Sequence, residues 1–544
     1  MRVKVLYIFL LLLFFPVYAV LGQEGSAIPK DFRGEDASLA RGLLTGNLIE
    51  SNFRNQGEVA RVGDTPWSNW PRGVGNRHID GIVPLAIGSV QGRRAEFPEF
   101  FGGAPDTFLH PVIVNIKDFG RKVVDDTTWG WLPLPGFFNE LRRDPITGLR
   151  GPTPAISDDP TSWPEFWPDR LTNPDDPGWP GSWNGFFGKN VFNADQEGYF
   201  VVDDHSDFEY RIDPGTGRPN SPFGVFYPDA NDLTVGGLGL QMSMRIMSWG
   251  NVLAEDAMFI LHRVTNVGTT ELDTLYFAQM VDYGLGWEEG DENAAFDPVL
   301  DVAWGYDQDG IGTTATGGRY QLGYTGIAYL ESPVRRDDGL DNDEDGVADE
   351  GRFSGPGILV EGQDNIRAYV EANYNIQAFE NFNGPLESRP AFNVGRWWTG
   401  DENLDWESFL DENENGLFDP DELINDDLGI DGLGPNDLDY PGPDTGEADG
   451  IPSPREPDFD QTDIDEGDQI GLTGFSLLDR GLFTSSDNMR NDTWLHERVL
   501  EAEGNIVLGV TRPTSLEATD IEPWITFTSG FTSLTLQQTD FFST

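Results

Sequence analysis

Twelve residues, Asp411-Glu-Asn413-Glu-Asn415-Gly416-Leu417-Phe418-Asp419-Pro-Asp421-Glu422, place oxygen donors where a calcium ion needs them. Calcium is a hard cation that takes about six to eight oxygens. The loop template uses the side chains of Asp411, Asn413 and Asn415 as ligands, and Gly416 makes the sharp turn. Leu417 then offers its carbonyl, Asp419 a direct or water-mediated oxygen, and Glu422 a bidentate carboxylate. A second run sets Asp341, Asp343, Asp345 and Asp349 around Gly346, with the Val347 carbonyl between them. Its last template position holds Arg352, so Glu350 must close that site. A merely solvated acidic loop is the usual meaning of a charge run, but it does not explain why glycine and carboxylates share the calcium spacing. Calcium is the expected ligand of both loops.

Two further clusters are open to either interpretation. Asp282, Glu288, Glu289, Asp291, Glu292, Asp297, Asp301, Asp307 and Asp309 gather past a strand end with no Lys or Arg between them. Carboxylates so placed repel one another unless solvent or a cation intervenes. Asp458, Asp460, Asp463, Asp465, Glu466 and Asp468 alternate in the same way. Enzymatic signatures are thin. The histidines are scattered, His205 being the one close to acids in sequence, and it reads as a surface loop residue. No H-E-x-x-H motif, G-x-S-x-G elbow or phosphate-binding loop occurs. Acidic pairs for glycoside hydrolysis can be chosen at will from 93 acids. Trp163, Trp167, Trp179 and Trp183 could stack on sugars, although tryptophan in Pro-rich chain more often packs the chain itself.

A net charge of −58 makes nucleic acid and anionic lipid poor partners and cations good ones. The absence of cysteine excludes disulfides, thiolate metal sites and a cysteine nucleophile. Residues 1–22, with Arg2 and Lys4 before an apolar run from Val5 to Phe15, read as a secretory signal peptide. No later segment is apolar enough to span a bilayer, so the mature chain is expected to be exported. Nothing after Phe531–Leu536 reads as a sorting segment or anchor, which leaves a complete chain and a fragment of a longer protein both open.

The elements that must carry these loops are strands. Residues 23–190 are rich in Trp, Pro and Gly, with short strands expected at Ile79–Ile87 and Pro111–Ile116 and an aromatic-packed loop from Trp129 to Phe187. In Leu238–Ile246 apolar and polar residues alternate, the pattern of a half-buried strand. Ala257–Thr265 and Leu275–Val281, around a Gly-containing turn, read as a hairpin of a sandwich. Residues 191–400 thus form the β region, interrupted by the acidic insert 337–351. The second insert, 401–470, holds 25 acids and one basic residue, Arg455. Before its loop, Leu404, Trp406, Phe409 and Leu410 fit an incoming helix. Strands return in 471–544 at Ile506–Val510 and Trp524–Phe527.

Several stretches carry a resemblance. Trp70-Pro-Arg-Gly with His78–Ile82, Trp183–Asn190 with Phe192–Glu197, Gly236–Leu240, Gly323–Pro333 and Asp463–Gly471 resemble a group of large secreted bacterial β-rich proteins. The loop at 411–422 is similar to an EF-hand loop, and Asp337–Gly346 to thrombospondin type 3 and MopE-like calcium repeats. Asn266-Val-Gly-Thr resembles bacterial extracellular immunoglobulin-like adhesion domains. Together these imply a mainly β protein, an immunoglobulin-like β-sandwich scaffold with long loops and acidic calcium-binding inserts. The expected role is non-catalytic, in structure or adhesion outside the cell or at its surface, with calcium ions, surface glycans or other extracellular proteins as partners. A carbohydrate-binding module or glycoside hydrolase is the alternative.

Overall fold

The computed structural model describes residues 28, 32–61, 63–103, 109–114, 129–142, 151–171, 177–221, 224–286, 292–297, 302–314, 317–328, 330, 339, 341, 345–349, 355–410, 418, 422–429, 432–435, 440–453, 456–459, 474–479, 523–528, 532–534 and 539–544. The chain is mainly β, with several antiparallel sheets. It divides into two compact units, Val334–Gly471 and the remainder Val17–Pro333 with Leu472–Thr544.

In the larger unit, Leu240–Ser248 lies between Gln196–Asp203 and Met258–Asn266, antiparallel to both. Leu240, Met242, Met244 and Ile246 are buried while Gln241 and Ser243 are half-buried, so the alternation in sequence faces an apolar core. Thr539–Ser543 extends this sheet beyond Met258–Asn266, and the short Leu132–Pro133 and Ala155–Ile156 join its other side. A seven-stranded sheet is built on Leu272–Tyr283 paired with Arg77–Gln91. Side chains of both sheets share one core, which takes in Leu85, Ile87 and Tyr276 from the second sheet with Phe200, Met244 and Val264 from the first. At its centre the Phe542 ring stacks between His262, 4.0 Å away, and Phe277, 5.0 Å away.

The expected hairpin around residues 266–274 does not form. Met258–Asn266 and Leu272–Tyr283 lie in different sheets, and the connection between them arches from one layer to the other. Asn266, fully buried, shapes this arch: its Nδ2 donates to the carbonyl of Thr270 at 2.9 Å and to that of Leu534 at 3.1 Å, and its Oδ1 accepts from the Gly268 amide. Both strands also bury a polar residue facing the other layer. Gln279 Nε2 lies 3.2 Å from His262 Nε2, a contact that neighbours within one sheet would not make across the core.

Gln196–Asp203 is buried along its whole length because both of its faces are covered. Phe200 and Val202 enter the shared core. Tyr199 and Val201 face a second cluster made by Leu134, Phe137, Trp167, Trp179 and Trp183. The tryptophan-rich segment therefore packs the chain, and its indoles satisfy their own N–H groups. Trp167 donates to the Ser182 carbonyl at 2.7 Å, Trp163 to that of Ile156 at 2.8 Å, and Trp183 to Glu197 Oε2 at 3.0 Å.

The Val334–Gly471 unit holds 38 acidic and seven basic residues, which is over half of the net charge of the chain. Among the described residues its main apolar cluster is formed by Ile366 and Val370 from helix Gln363–Asn373, Phe379 from helix Ile376–Asn383, Ala391 and Phe392 from helix Pro390–Val394, and Leu386, Trp397 and Leu404. The Asn375 side chain caps the second helix by accepting the Ala378 amide at 3.3 Å. A unit so charged repels itself, and its folding must offset that repulsion. Among the described residues no helix is long and apolar enough to cross a membrane.

Candidate metal centre

The loop at 411–422 is carried by paired extended chain. Phe409 bridges Ile424, Leu410 N donates to the Leu423 carbonyl at 2.8 Å, and Asp426 N donates to that of Glu407 at 2.9 Å. The incoming helix expected from Leu404, Trp406, Phe409 and Leu410 is absent. Leu404 sits at φ 59, and the Asp401 carboxylate accepts the amides of Asp405 and Trp406, each at 3.3 Å, which fixes a tight turn in place of a helix. Trp406 is then held inward, its Nε1 donating to Glu456 Oε2 at 2.9 Å. Asp411, Asn413, Asn415, Leu417 and Asp419 lie outside the described residues. Phe418 packs against Phe409 with ring centroids 5.7 Å apart, and Glu422 is half-buried at the neck.

In the second loop Gly346 adopts φ 104, the left-handed turn that its place in the motif requires. Asp341 Oδ2 accepts its amide at 3.0 Å, and Asp345 Oδ1 accepts that of Val347 at 2.7 Å. Asp345 is 1% exposed, Val347 is buried, and Asp349 turns its Oδ1 to the Gly339 amide at 2.8 Å. Asp341 and Asp345 are thus gathered on one turn; Asp343 and Glu350 lie outside the described residues. A Cβ on Gly346 would stand 2.3 Å from the Phe379 amide nitrogen. Gly346→Ala is therefore expected to destabilise the acidic unit by more than ~1 kcal/mol, read from denaturant unfolding; an unchanged midpoint would show that the turn is not fixed as described.

A third group gathers near the same neck, of which sequence reasoning had named only Asp458. Asp401, Asn403 and Asp405 have the alternate spacing of the first three loop ligands, but Trp406 stands where a glycine was sought. Burial pushes the Asp405 carboxyl up to about 7, and Asp458 and Asp426 add repulsion. Asp426 is likewise raised to about 7 by burial, with Asp458 and Glu407 nearby, while burial also lifts Asp458 and holds Asp401 well above the usual range. Arg389 approaches Asp405 Oδ2 at 3.5 Å, yet Asp405 Oδ1 is buried without a hydrogen-bond partner. Asp426 Oδ2 accepts the Glu407 amide at 2.8 Å, and Asp427 and Glu456, also raised, to about 6 and about 8, are likewise bonded to the backbone. They accept backbone amides, Gly450 N at 2.7 Å for Asp427 and Gly429 N and Ser453 N at 3.1 Å for Glu456, and so serve as internal struts.

Asp405 Oδ1 has no hydrogen bond, and Asp426 and Asp458 stand close enough to repel the carboxylate, a repulsion that a hard cation would relieve by accepting carboxylate oxygens. Among the described residues, which include Asp405, Asp426 and Asp458, no group of three or more acidic or histidine side chains is placed to hold a metal ion. The raised carboxyls make a pH test possible without metal. The native unit binds protons that the unfolded chain, with carboxyls near ~4, has released. The stabilisation is fully present below the unfolded values and is lost as pH rises through about 6 to about 8. In chelator, the melting temperature of this unit is expected to rise as pH falls across that window, and calcium is expected to flatten the trend; a chelated unit insensitive to pH there would contradict it.

The remaining sites are placed as follows. Asp282, Glu292 and Asp307 are buried, and Glu292 stands directly opposite Asp307 across Glu292–Asp297 and Val302–Asp307. Glu288, Glu289, Asp291 and Asp301 lie outside the described residues, as do Asp460, Asp463, Asp465, Glu466 and Asp468. His205 is not an open surface residue: its side chain is 19% exposed and its Nδ1 lies 3.1 Å from the buried Asp203 Oδ2. Trp167, Trp179 and Trp183 are buried and offer no open ring face to a sugar, and Trp163 is half-buried. No family model, curated protein or solved structure matches this chain, so the likenesses of its loops rest on their own residues.

Proposed function

We propose that this is an exported, non-catalytic protein that works at or outside the cell surface in structure, adhesion or binding, with calcium ordering its acidic unit. The observation that carries this reading is the buried, unpartnered Asp405 Oδ1 set among Asp426 and Asp458, on the hairpin that also presents Asp411–Glu422. Asp405, Asp426 and Asp458, whose carboxylates would have to draw together around it, would hold one ion. The loop ligands Asp411, Asn413, Asn415, Leu417, Asp419 and Glu422 would hold another, and Asp341, Asp343, Asp345, Val347, Asp349 and Glu350 a third. Bound calcium would supply positive charge and fixed coordination, while the residues of the chain set the turns.

The hairpin neck gives this proposal a particular character. Calcium sensors respond by changing the angle between two helices and opening a groove. Paired chain at Phe409 and Ile424 supplies no such pair, so the ion is proposed as a static clasp that stiffens a surface. The two layers sharing one core support the immunoglobulin-like form of the proposal, and the net charge supports cationic or neutral partners, surface glycans or extracellular proteins, over nucleic acid. Limited proteolysis tests the reading: cleavage within 401–470 is expected to be slow with calcium and fast in chelator. Equal cleavage in the two conditions would sink it.

A further inference from the structure

We draw no further inference here: the strongest candidate, the carboxylate cluster of Asp405, Asp426 and Asp458 on the hairpin neck of the acidic unit, belongs to the cation site already described, and beyond its acidic side chains nothing among the described residues points to another ligand.

Discussion

Glu197→Ala is expected to destabilise the larger unit by roughly 3–5 kcal/mol, because it leaves a buried guanidinium without its carboxylate. Arg245, 8% exposed, pairs through Nη1 with Glu197 Oε1 and donates to the Asn184 carbonyl at 2.8 Å. Its guanidinium lies 3.9 Å from the centre of the Tyr199 ring. Glu197, 1% exposed, also accepts Trp183 Nε1, so one truncation takes the carboxylate from two buried donors and leaves Arg245 with the Asn184 carbonyl alone as a neutral acceptor. Water cannot easily replace them, since the tryptophan cluster lies over this face of the sheet. The paired change Glu197→Leu/Arg245→Met should recover most of the loss by removing both charges at once. Denaturant unfolding checks both. A loss below ~1 kcal/mol for Glu197→Ala would mean that the pair is solvated.

Calcium is expected to stabilise the acidic unit by about 2.7 kcal/mol per site when its concentration is a hundredfold above the dissociation constant. Extracellular modules bind calcium at roughly 10⁻⁴ to 10⁻³ M, so about 10 mM calcium should approach that gain at the tighter sites. The unit carries a large excess of acids, so ion binding relieves a repulsion that works against its folding. Asp405→Asn/Asp426→Asn should lose part of the calcium-dependent rise in melting temperature while becoming more stable in chelator, because the repelling charges are gone. Magnesium, which prefers a tight octahedral shell with retained waters, should give a smaller shift. If the variant kept the full calcium response, the neck site would have to be abandoned.

Period-two alternation identified Leu240–Ser248, and the apolar runs found Arg77–Gln91, Leu109–Val114, Met258–Asn266 and Leu272–Tyr283 to within a few residues. Which strands pair was not readable at the Asn266 connection, because hairpin and arch differ in side-chain hydrogen bonds made to residues as distant as Leu534. The helices between Gln363 and Val394 went unread for a different reason. Ile366, Tyr369 and Val370 do stand at helical spacing, but over too few turns to outweigh the surrounding polar sequence. The turn glycine of the second loop was legible because a left-handed φ has few occupants. The neck cluster was not, since Asp405, Asp426 and Asp458 are brought together by folding and share no local motif. The tryptophans show the same limit: their density signalled packing, but only the fold reveals Tyr199 and Val201 as the surface they cover.

Equilibrium dialysis of the chelator-stripped full chain against calcium, with magnesium in excess, tests the central claim most directly. At least two calcium ions should be retained per chain, with fewer in Asp341→Ala/Asp345→Ala and in Asp405→Asn/Asp426→Asn. No retained calcium at millimolar free ion would contradict the claim and leave the acidic unit a solvated, self-repelling insert.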